Sequence, residues 1–481
     1  MSISSALSNA YSGLSAVSRN AEVISGNVAN ALSENYSRQE TVLSNRMGGV
    51  SVARVVRMEN AGVTATRREF EAEQASRQTE ARAYAAISGR IGLPGESDAL
   101  SSLFTGIEVS LVNLENAPDS VVLQERVVEA IQRTTDSFRK ISDEISSVRL
   151  AADRNISRQV DAINLSLSRI EKLNNDIRAL SVSDQALPRL FDERQALIDK
   201  VNTIVPVRVS YASNGDVSLF ANGGVILLNG TSRELSFTPA SSVLPEMSYA
   251  AGSLSGISVE GVALDVSGEN GPLGGGSLAA NMRVRDIIAP GMQQQIDALA
   301  RDFIERFQNP AVDPTIAPGG AALVTDGGAV FNAANETGLS SRLEVNAMVD
   351  PVSGGDLWRI RDGLGAPGPG VSGDSSLISR LGAGFRELVS PQTGLDIDVA
   401  MSGEGFASEV SSIWIGRSAL ADERASYSTA GFEAARQTEI QITGVDTDRE
   451  MQDLLVVEQA YAANAKVISV IDQLMQRLLE I

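Results

Sequence analysis

The sequence predicts a mainly α-helical, elongated chain with one small inserted β-domain and terminal helices that form a coiled coil. Three observations carry this. First, both ends hold unbroken a/d seams. Ile3, Leu7, Ala10, Leu14, Val17, Ala21, Ile24 and Val28 step alternately by 4 and 3 residues, and Leu454, Val457, Tyr461, Asn464, Ile468, Ile471, Met475 and Leu478 step alternately by 3 and 4. One helix buries such a narrow stripe against another. Second, about Asp119 to Ser181 runs without Pro or Gly, with Val128, Ile131, Phe138, Ile145, Ile156, Ile163 and Ile170 on one face. As one helix it would extend roughly 90 Å, a shaft rather than the core of a compact enzyme. Third, the pattern changes at Pro206. Val207, Val209 and Tyr211 alternate, as do Val217, Leu219 and Val225, and three Asn-Gly pairs at 214–215, 222–223 and 229–230 signal hairpins.

Taken in order, residues 3–30 predict one helix, broken by the Asn- and Ser-rich segment 27–39. Alternation at Val50, Val52 and Val55 with a Gly48-Gly49 turn predicts a hairpin within 41–65. Helix returns from Arg67 to about Arg90, and again over 97–116 with Leu100, Phe104, Ile107 and Leu111 on one face. Pro118-Asp119 restarts the chain into the shaft, and a further helix covers about 184–203. After the β insertion, which Gly271–Gly276 closes, helix resumes at about 283–308. Residues 309–375 read as loop-rich, with a short strand at Val345–Val349. Helices follow at about 375–390, 403–440 and from Asp448 to the end.

Composition narrows function. The 481 residues give room for about three domains. Hydrophobic content of 43% supports real cores, and aromatic content of 4% makes them aliphatic. A formal charge of −20 argues against nucleic acid or an anionic membrane as partner, because both need a cationic face. The chain has no Cys and no His, which removes disulfides, thiolate chemistry, imidazole metal sites and Ser-His nucleophiles. The N-terminus lacks a basic segment followed by a continuous apolar one, and no apolar run approaches the ~18 residues of a membrane span. The expectation is a protein that stays in the cytoplasm or leaves without a cleaved signal.

Two motifs invite chemistry and are set aside. Gly363-Leu-Gly365-Ala-Pro-Gly368 fits G-x-G-x-x-G, but no strand precedes it and Pro367 sits where a helix should open. Asp446-Thr-Asp448-Arg-Glu450 resembles the start of a calcium loop without its Gly at position six or Glu at position twelve. Helix capping accounts for it. No catalytic residue, cofactor or metal site is assigned. The terminal stripes could lie on a membrane, but their polar faces are Ser and Asn rather than basic. With so little apolar area each terminal helix is marginal alone, so the ends are expected to order on assembly.

Ser5-Ala-Leu7-Ser-Asn-Ala-Tyr-Ser-Gly13-Leu14 with Asn27-Val-Ala-Asn30 resembles the N-terminal signature of bacterial flagellar axial proteins, the rod, hook and hook-associated proteins. Gly444-Val445, Glu450-Met451, Leu454, Gln459-Ala460-Tyr461, Asn464 and Ile468 are similar to their C-terminal signature. Where the family has Gly before the aromatic, this chain has Asn35 before Tyr36; Asn is the next-best residue for positive φ. In the interior, Leu103-Phe104, Asn113, Pro118, Arg126-Val127, Ile163-Asn164, Leu173-Asn174 and Leu190-Phe-Asp-Glu-Arg-Gln-Ala-Leu-Ile-Asp199 resemble the hook-associated members at the hook–filament junction.

The resemblance implies nested domains: an inner coiled-coil domain of 1–40 with 441–481, a middle helical domain of 41–205 with 276–440, and an outer β-domain of 206–275. It implies a structural, non-enzymatic part of the flagellum that self-associates into a layer. That layer would sit on the hook protein, receive the second junction protein and template the filament. The subunit would be cytoplasmic before passing unfolded through the flagellar type III apparatus, with an export chaperone on the C-terminal helix, and extracellular afterwards. The assembly seam is Ile3, Leu7, Leu14, Val17, Ile24, Val28, Leu454, Val457, Tyr461, Ile468, Ile471, Met475 and Leu478. The signature residues are Asn27, Asn30, Tyr36, Gln459, Ala460 and Asn464. The rivals are another axial protein, hook or distal rod, and a hydrolase with a carboxylate site in 309–375.

Overall fold

Freedom from Pro and Gly over residues 121–179 yields the longest helix among the described residues, and most of the interior elements pack along it. The computed structural model describes residues 3–33, 36–46, 49–93, 95–180, 184, 186–264, 271–390 and 399–479. Helix α1 (Ile3–Ala29) leads to an antiparallel hairpin of β1 (Gln39–Arg46) and β2 (Gly49–Arg57). Then come α2 (Ala61–Ile91), α3 (Leu100–Asn116), α4 (Val121–Ala179) and α5 (Leu187–Ile204). The strands β3 (Val207–Tyr211), β4 (Val217–Ala221), β5 (Ile226–Asn229) and β6 (Thr231–Ser232) form one antiparallel sheet in chain order. A second sheet pairs β7 (Leu235–Ser236), β8 (Ile257–Val259) and β9 (Val262–Leu264). The chain returns through α6 (Gly276–Arg283), a π-helical turn at Val284–Ile288 and α7 (Ala289–Gln308). There follow β10 (Val324–Asp326), α8 (Leu339–Arg342), β11 (Leu343–Val345), α9 (Arg359–Asp362) and α10 (Ser376–Arg386). Two long helices, α11 (Gly403–Thr443) and α12 (Thr447–Leu479), end the chain.

Helix α4 serves two cores in turn. Its first half, with Ile131, Phe138 and Ile145, packs with α3, α7, α10 and the start of α11. Five phenyl rings, Phe104, Phe138, Phe303, Phe307 and Phe385, meet there with centroids 5.2 to 6.1 Å apart. Its second half, with Ile156, Ile163 and Ile170, packs with α5, α6 and the two sheets. Between the cores lie buried charges. Arg149 donates to the carbonyls of Arg285 at 3.0 Å, Leu244 at 2.9 Å and Met247 at 2.5 Å. Arg285 meets Asp153 at 2.7 Å, and Asp153 also accepts from the amide of Ala240 at 2.7 Å. These bonds hold the irregular segment 237–256 to the shaft.

Several boundaries differ from the sequence expectation, each for a local reason. Helix α2 begins at Ala61 rather than Arg67, because the Asn60 side chain caps it through the amides of Gly62 and Val63. The helix expected at 283–308 starts earlier, at Gly276, and passes through the π turn. The strand expected at Val345–Val349 lies instead at Leu343–Val345 opposite β10, since Asn346 turns the chain by accepting the Met348 amide. Helix α10 stops at Arg386 rather than near 390. The insertion holds two sheets rather than one unit of alternation. All three Asn-Gly pairs lie at turns, but in the second the positive φ falls on Gly224, one residue late. The loop-rich segment also supplies core, burying Val324, Leu339, Leu343, Ile360 and Leu364. Gly363-Leu-Gly365 follows a helix, α9, and both glycines press on Thr315. The Gly48 turn and the Asn35 conformation lie outside the described residues. Within Gly403–Arg477 one 18-residue window is, by length and composition, apolar enough to cross a membrane although polar residues interrupt it, and 11% of it is buried.

Phe303 touches four other rings, so Phe303→Ala should cost about 3–5 kcal/mol of unfolding free energy, measured by urea denaturation.

Candidate assembly site

The two chain ends meet as an antiparallel helix pair. Asn27 of α1 faces Glu450 of α12, and Gly13 faces Asn464. After α1 the chain doubles back: Asn30 N donates to the Gly26 carbonyl, Ser33 N to Asn30 and Tyr36 N to Ser33. This returns residues 36–39 to the side of Asn27.

Asn27 is fully buried and uses its whole carboxamide. Its Nδ2 donates to Gln39 O and to Glu450 Oε2, each at 2.9 Å. Its Oδ1 accepts from Tyr36 Oη at 2.9 Å and Gln39 N at 3.0 Å. Glu450 is also fully buried, and Arg38 Nε reaches its other oxygen at 2.6 Å. The second arm of Arg38 approaches Asp453 at 3.4 Å, and its backbone amide donates to Thr443 O at 3.0 Å. Burial, then the carboxylates of Asp192 and Glu450, push the Tyr36 hydroxyl up to about 12, so it stays a donor. Asp446 caps α12 through the amides of Asp448 and Arg449, as expected for this acidic stretch.

Contact along the pair is close because its residues are small. A Cβ on Gly13 would come within 2.8 Å of Asn464 Oδ1, while Asn464 Nδ2 donates to Ala460 O. The hairpin supports α1 from another side: Val50 N donates to Ser12 Oγ at 3.2 Å and Thr41 Oγ1 to Asn20 Oδ1 at 2.5 Å. Gly49 sits at φ +129°, and any Cβ there would overlap Ser12 Oγ.

Of the seam residues, Ile24, Val457 and Ile471 are buried in this pair, and Leu14, Val17, Val28, Leu454 and Ile468 are half-buried. Ile3, Leu7, Tyr461 and Met475 remain exposed at 36–49%. The Leu478 side chain lies outside the described residues. Among the signature residues, Asn27 and Tyr36 share one bond, Asn30 closes its own helix on Gly26 O, and Gln459 is exposed. The Arg38–Glu450 pairing was missed. Its signal was available: the C-terminal seam stepped back by 4 from Leu454 lands on Glu450, an acid on a buried stripe.

The interior motif 190–199 ties this site to the rest. Asp192 pairs with Arg57 of β2 at 2.8 Å. Asp199 receives Arg68 at 2.7 Å and Arg67 at 2.8 Å, and Arg67 also holds Glu71 and Glu439. Arg194 donates to Asn174 Oδ1 at 3.0 Å and Gly215 O at 2.7 Å, and burial lowers it to about 10. Helices α2, α4, α5 and α11, the hairpin and the β insertion thus meet around one ten-residue segment. Among the described residues, no cluster of three or more acids is placed to hold a metal ion. In 309–375, Asp313 is taken up by Thr315 and the Leu364 amide, Asp326 by Arg342 and Asp362 by Arg361.

Residues 93–310 match the family model described as the flagellar hook-associated protein FlgK helical domain. Relatives named flagellar hook-associated protein 1 align at 28% identity in Salmonella typhimurium, 25% in Escherichia coli and 22% in Bacillus subtilis. Over these residues the chain is similar to the flagellar hook-associated proteins. These alignments cover 50%, 63% and 98% of this chain and 45%, 56% and 97% of the relatives, so the match spans about half the length of the first two. Residues 436–481 match the C-terminal model of flagellar basal body rod proteins FlgEFG. The flagellar hook junction protein FlgK from Burkholderia pseudomallei superposes with a TM-score of 0.45 at 20% identity, over 56% of this chain and 47% of that one.

Two outcomes test the site. Glu450→Ala leaves buried Asn27 and half-buried Arg38 without their carboxylate and should cost about 1–3 kcal/mol in the terminal pair, read as faster amide exchange across α1 and α12. Burial pushes Asp192 up to about 6 despite Arg57, against roughly 3.9 in an unfolded chain. Its contribution is full below about pH 4 and lost as pH rises through about 6. The stability difference between the protein and Asp192→Asn should therefore change across that window and be flat above pH 7, in urea melts at stepped pH.

Proposed function

We propose that this chain is a structural component of the bacterial flagellum that forms the hook side of the hook–filament junction and templates filament assembly. The observation that carries the reading is the α1–α12 pair. Both ends converge on one clasped helix pair that still exposes Ile3, Leu7, Tyr461 and Met475. Exposed apolar stripes on an ordered pair mark a surface that is covered in an assembly. The names of the Salmonella, Escherichia and Bacillus relatives point the same way.

On this reading the inner part, 1–40 with 441–481, lines the tube. The middle part is 41–205 with 276–440, and the outer part is 206–275. Subunits self-associate into a layer that rests on the hook protein and seats the second junction protein. The chain travels unfolded through the type III export apparatus, its C-terminal segment held by an export chaperone. It works by packing, without a catalytic step. The rod-type match at 436–481 favours a second reading, in which the chain is a rod or hook subunit. Antibody labelling under the electron microscope separates the two: label at the hook tip supports the junction, and label along the hook or rod supports the alternative.

Deleting the gene should leave hooks without filaments and shed flagellin into the medium; normal filaments on the deletion strain would sink the proposal. Leu14→Asp or Ile468→Asp should abolish junction assembly while leaving the α4 cores folded, measured by motility and circular dichroism.

A further inference from the structure

The β insertion holds three Asn-Gly pairs among the described residues, and their surroundings differ. In such a pair the side-chain amide lies within reach of an unhindered backbone nitrogen, because Gly has no Cβ to block the approach. At 214–215 both groups are occupied. Asn214 Oδ1 accepts from the Asp216 amide at 3.1 Å, its Nδ2 donates to Asp216 Oδ2 at 2.8 Å, and the Gly215 amide donates to Ala212 O at 3.1 Å. At 229–230 the carboxamide is drawn across the sheet, where Ser218 Oγ donates to Asn229 Oδ1 at 3.2 Å. At 222–223 both groups are free. Gly224 N closes the turn on Ala221 O at 2.8 Å, which leaves the amide of Gly223, the third residue of that turn, outside the turn hydrogen bond. The Asn222 side chain and the Gly223 amide meet no partner among the described residues, and residues 222–224 are exposed.

We infer that Asn222 is a site of spontaneous covalent modification, at which the carboxamide converts to aspartate and isoaspartate. The Gly223 nitrogen gives its proton to solvent base and attacks Asn222 Cγ. A bond forms between that nitrogen and Cγ, the bond from Cγ to Nδ2 breaks, and Nδ2 takes a proton from solvent and leaves as ammonia. The product is a five-membered succinimide. Water then adds to one of its two carbonyl carbons. Addition at Cγ reopens the ring to aspartate, and addition at the backbone carbonyl carbon leaves the chain running through the side chain as isoaspartate. One water enters and one ammonia departs, with no oxidant, metal or enzyme in the balance.

The turn sits at the neck of the insertion, where the change has a structural effect. Asn222 N donates to the carbonyl of Pro206, the residue at which the chain enters. A Cβ on Gly223 would come within 2.4 Å of Pro272 Cα and 2.7 Å of the Gly271 and Pro272 oxygens, where the chain leaves for α6. Leu273 beside them is fully buried. Isoaspartate lengthens the backbone by one carbon immediately before Gly223 and adds a carboxylate, so the turn can no longer fit between Pro206 and Pro272. The modification thereby loosens the closure of the insertion, and it accumulates with the age of the molecule because no step returns the ammonia.

Ageing the purified full-length protein at mildly alkaline pH tests this. Trypsin releases residues 209–233 as one peptide, since no Lys or Arg lies between Arg208 and Arg233, so all three pairs report together. Fragment-ion mass spectrometry locates the gain from amide to acid, isoaspartyl methyltransferase labelling counts the isoaspartate, and an unaged sample corrects for conversion during digestion. Asn222 should convert at least tenfold faster than Asn214 or Asn229 in the folded protein. In the isolated peptide 209–233 the three should convert at comparable rates. Equal conversion in the folded protein, faster conversion at Asn214 or Asn229, or the same preference in the isolated peptide would overturn the inference. Asn222→Gln should remove the isoaspartate label from this peptide, because Gln must close a six-membered ring, which forms far more slowly; a label of undiminished strength in that variant would place the reaction elsewhere.

Discussion

Glu450 is a carboxylate with no access to water, and the arrangement of both termini follows from the need to neutralise it. An unpaired buried charge costs several kcal/mol, so a cation must reach it. Arg38 does, but only because the chain reverses after α1 and runs back beside it. Asn27 fills the remaining acceptor and simultaneously grips both backbone groups of Gln39. One acid thereby fixes the level at which α12 meets α1, the path of the reversal and the start of the hairpin. The hairpin in turn buttresses α1 through Ser12 and Asn20.

The shaft solves a different problem. Two hydrophobic cores hang on one helix, and the junction between them carries charge rather than hydrocarbon. Arg149 and Arg285 spend their donors on carbonyls and on Asp153 and Asp286. They can do so because the π turn at Val284–Ile288 widens the helix where Arg285 must point inward. The segment 237–256 has almost no regular structure, and these side chains substitute for a sheet in holding its backbone.

Features set by local periodicity were legible in the sequence. The end seams, the shaft and the three Asn-Gly turns needed only spacing and turn chemistry. Features set by contacts between distant residues were not. Arg38 and Glu450 lie 412 positions apart, and nothing near Arg38 marks it as a partner. Val324, Leu343 and Ile360 lack a period, so a segment that reads as loop turned out to seal a core. Asn60 shifted a helix start by six residues through two amide bonds, a local device outweighed in the reading by the polar residues around it. At the site itself, periodicity did not say which face each residue uses: Ile24, Val457 and Ile471 are buried, whereas Ile3, Leu7, Tyr461 and Met475 stay exposed.

The clasp has a consequence for quality control. Its members come from positions 27 to 39 at one end and 443 to 453 at the other. A product truncated before residue 450 can still build the shaft and both cores, yet it holds Asn27 and Arg38 with no carboxylate to receive them. The clasp therefore closes only in a chain that extends past residue 450.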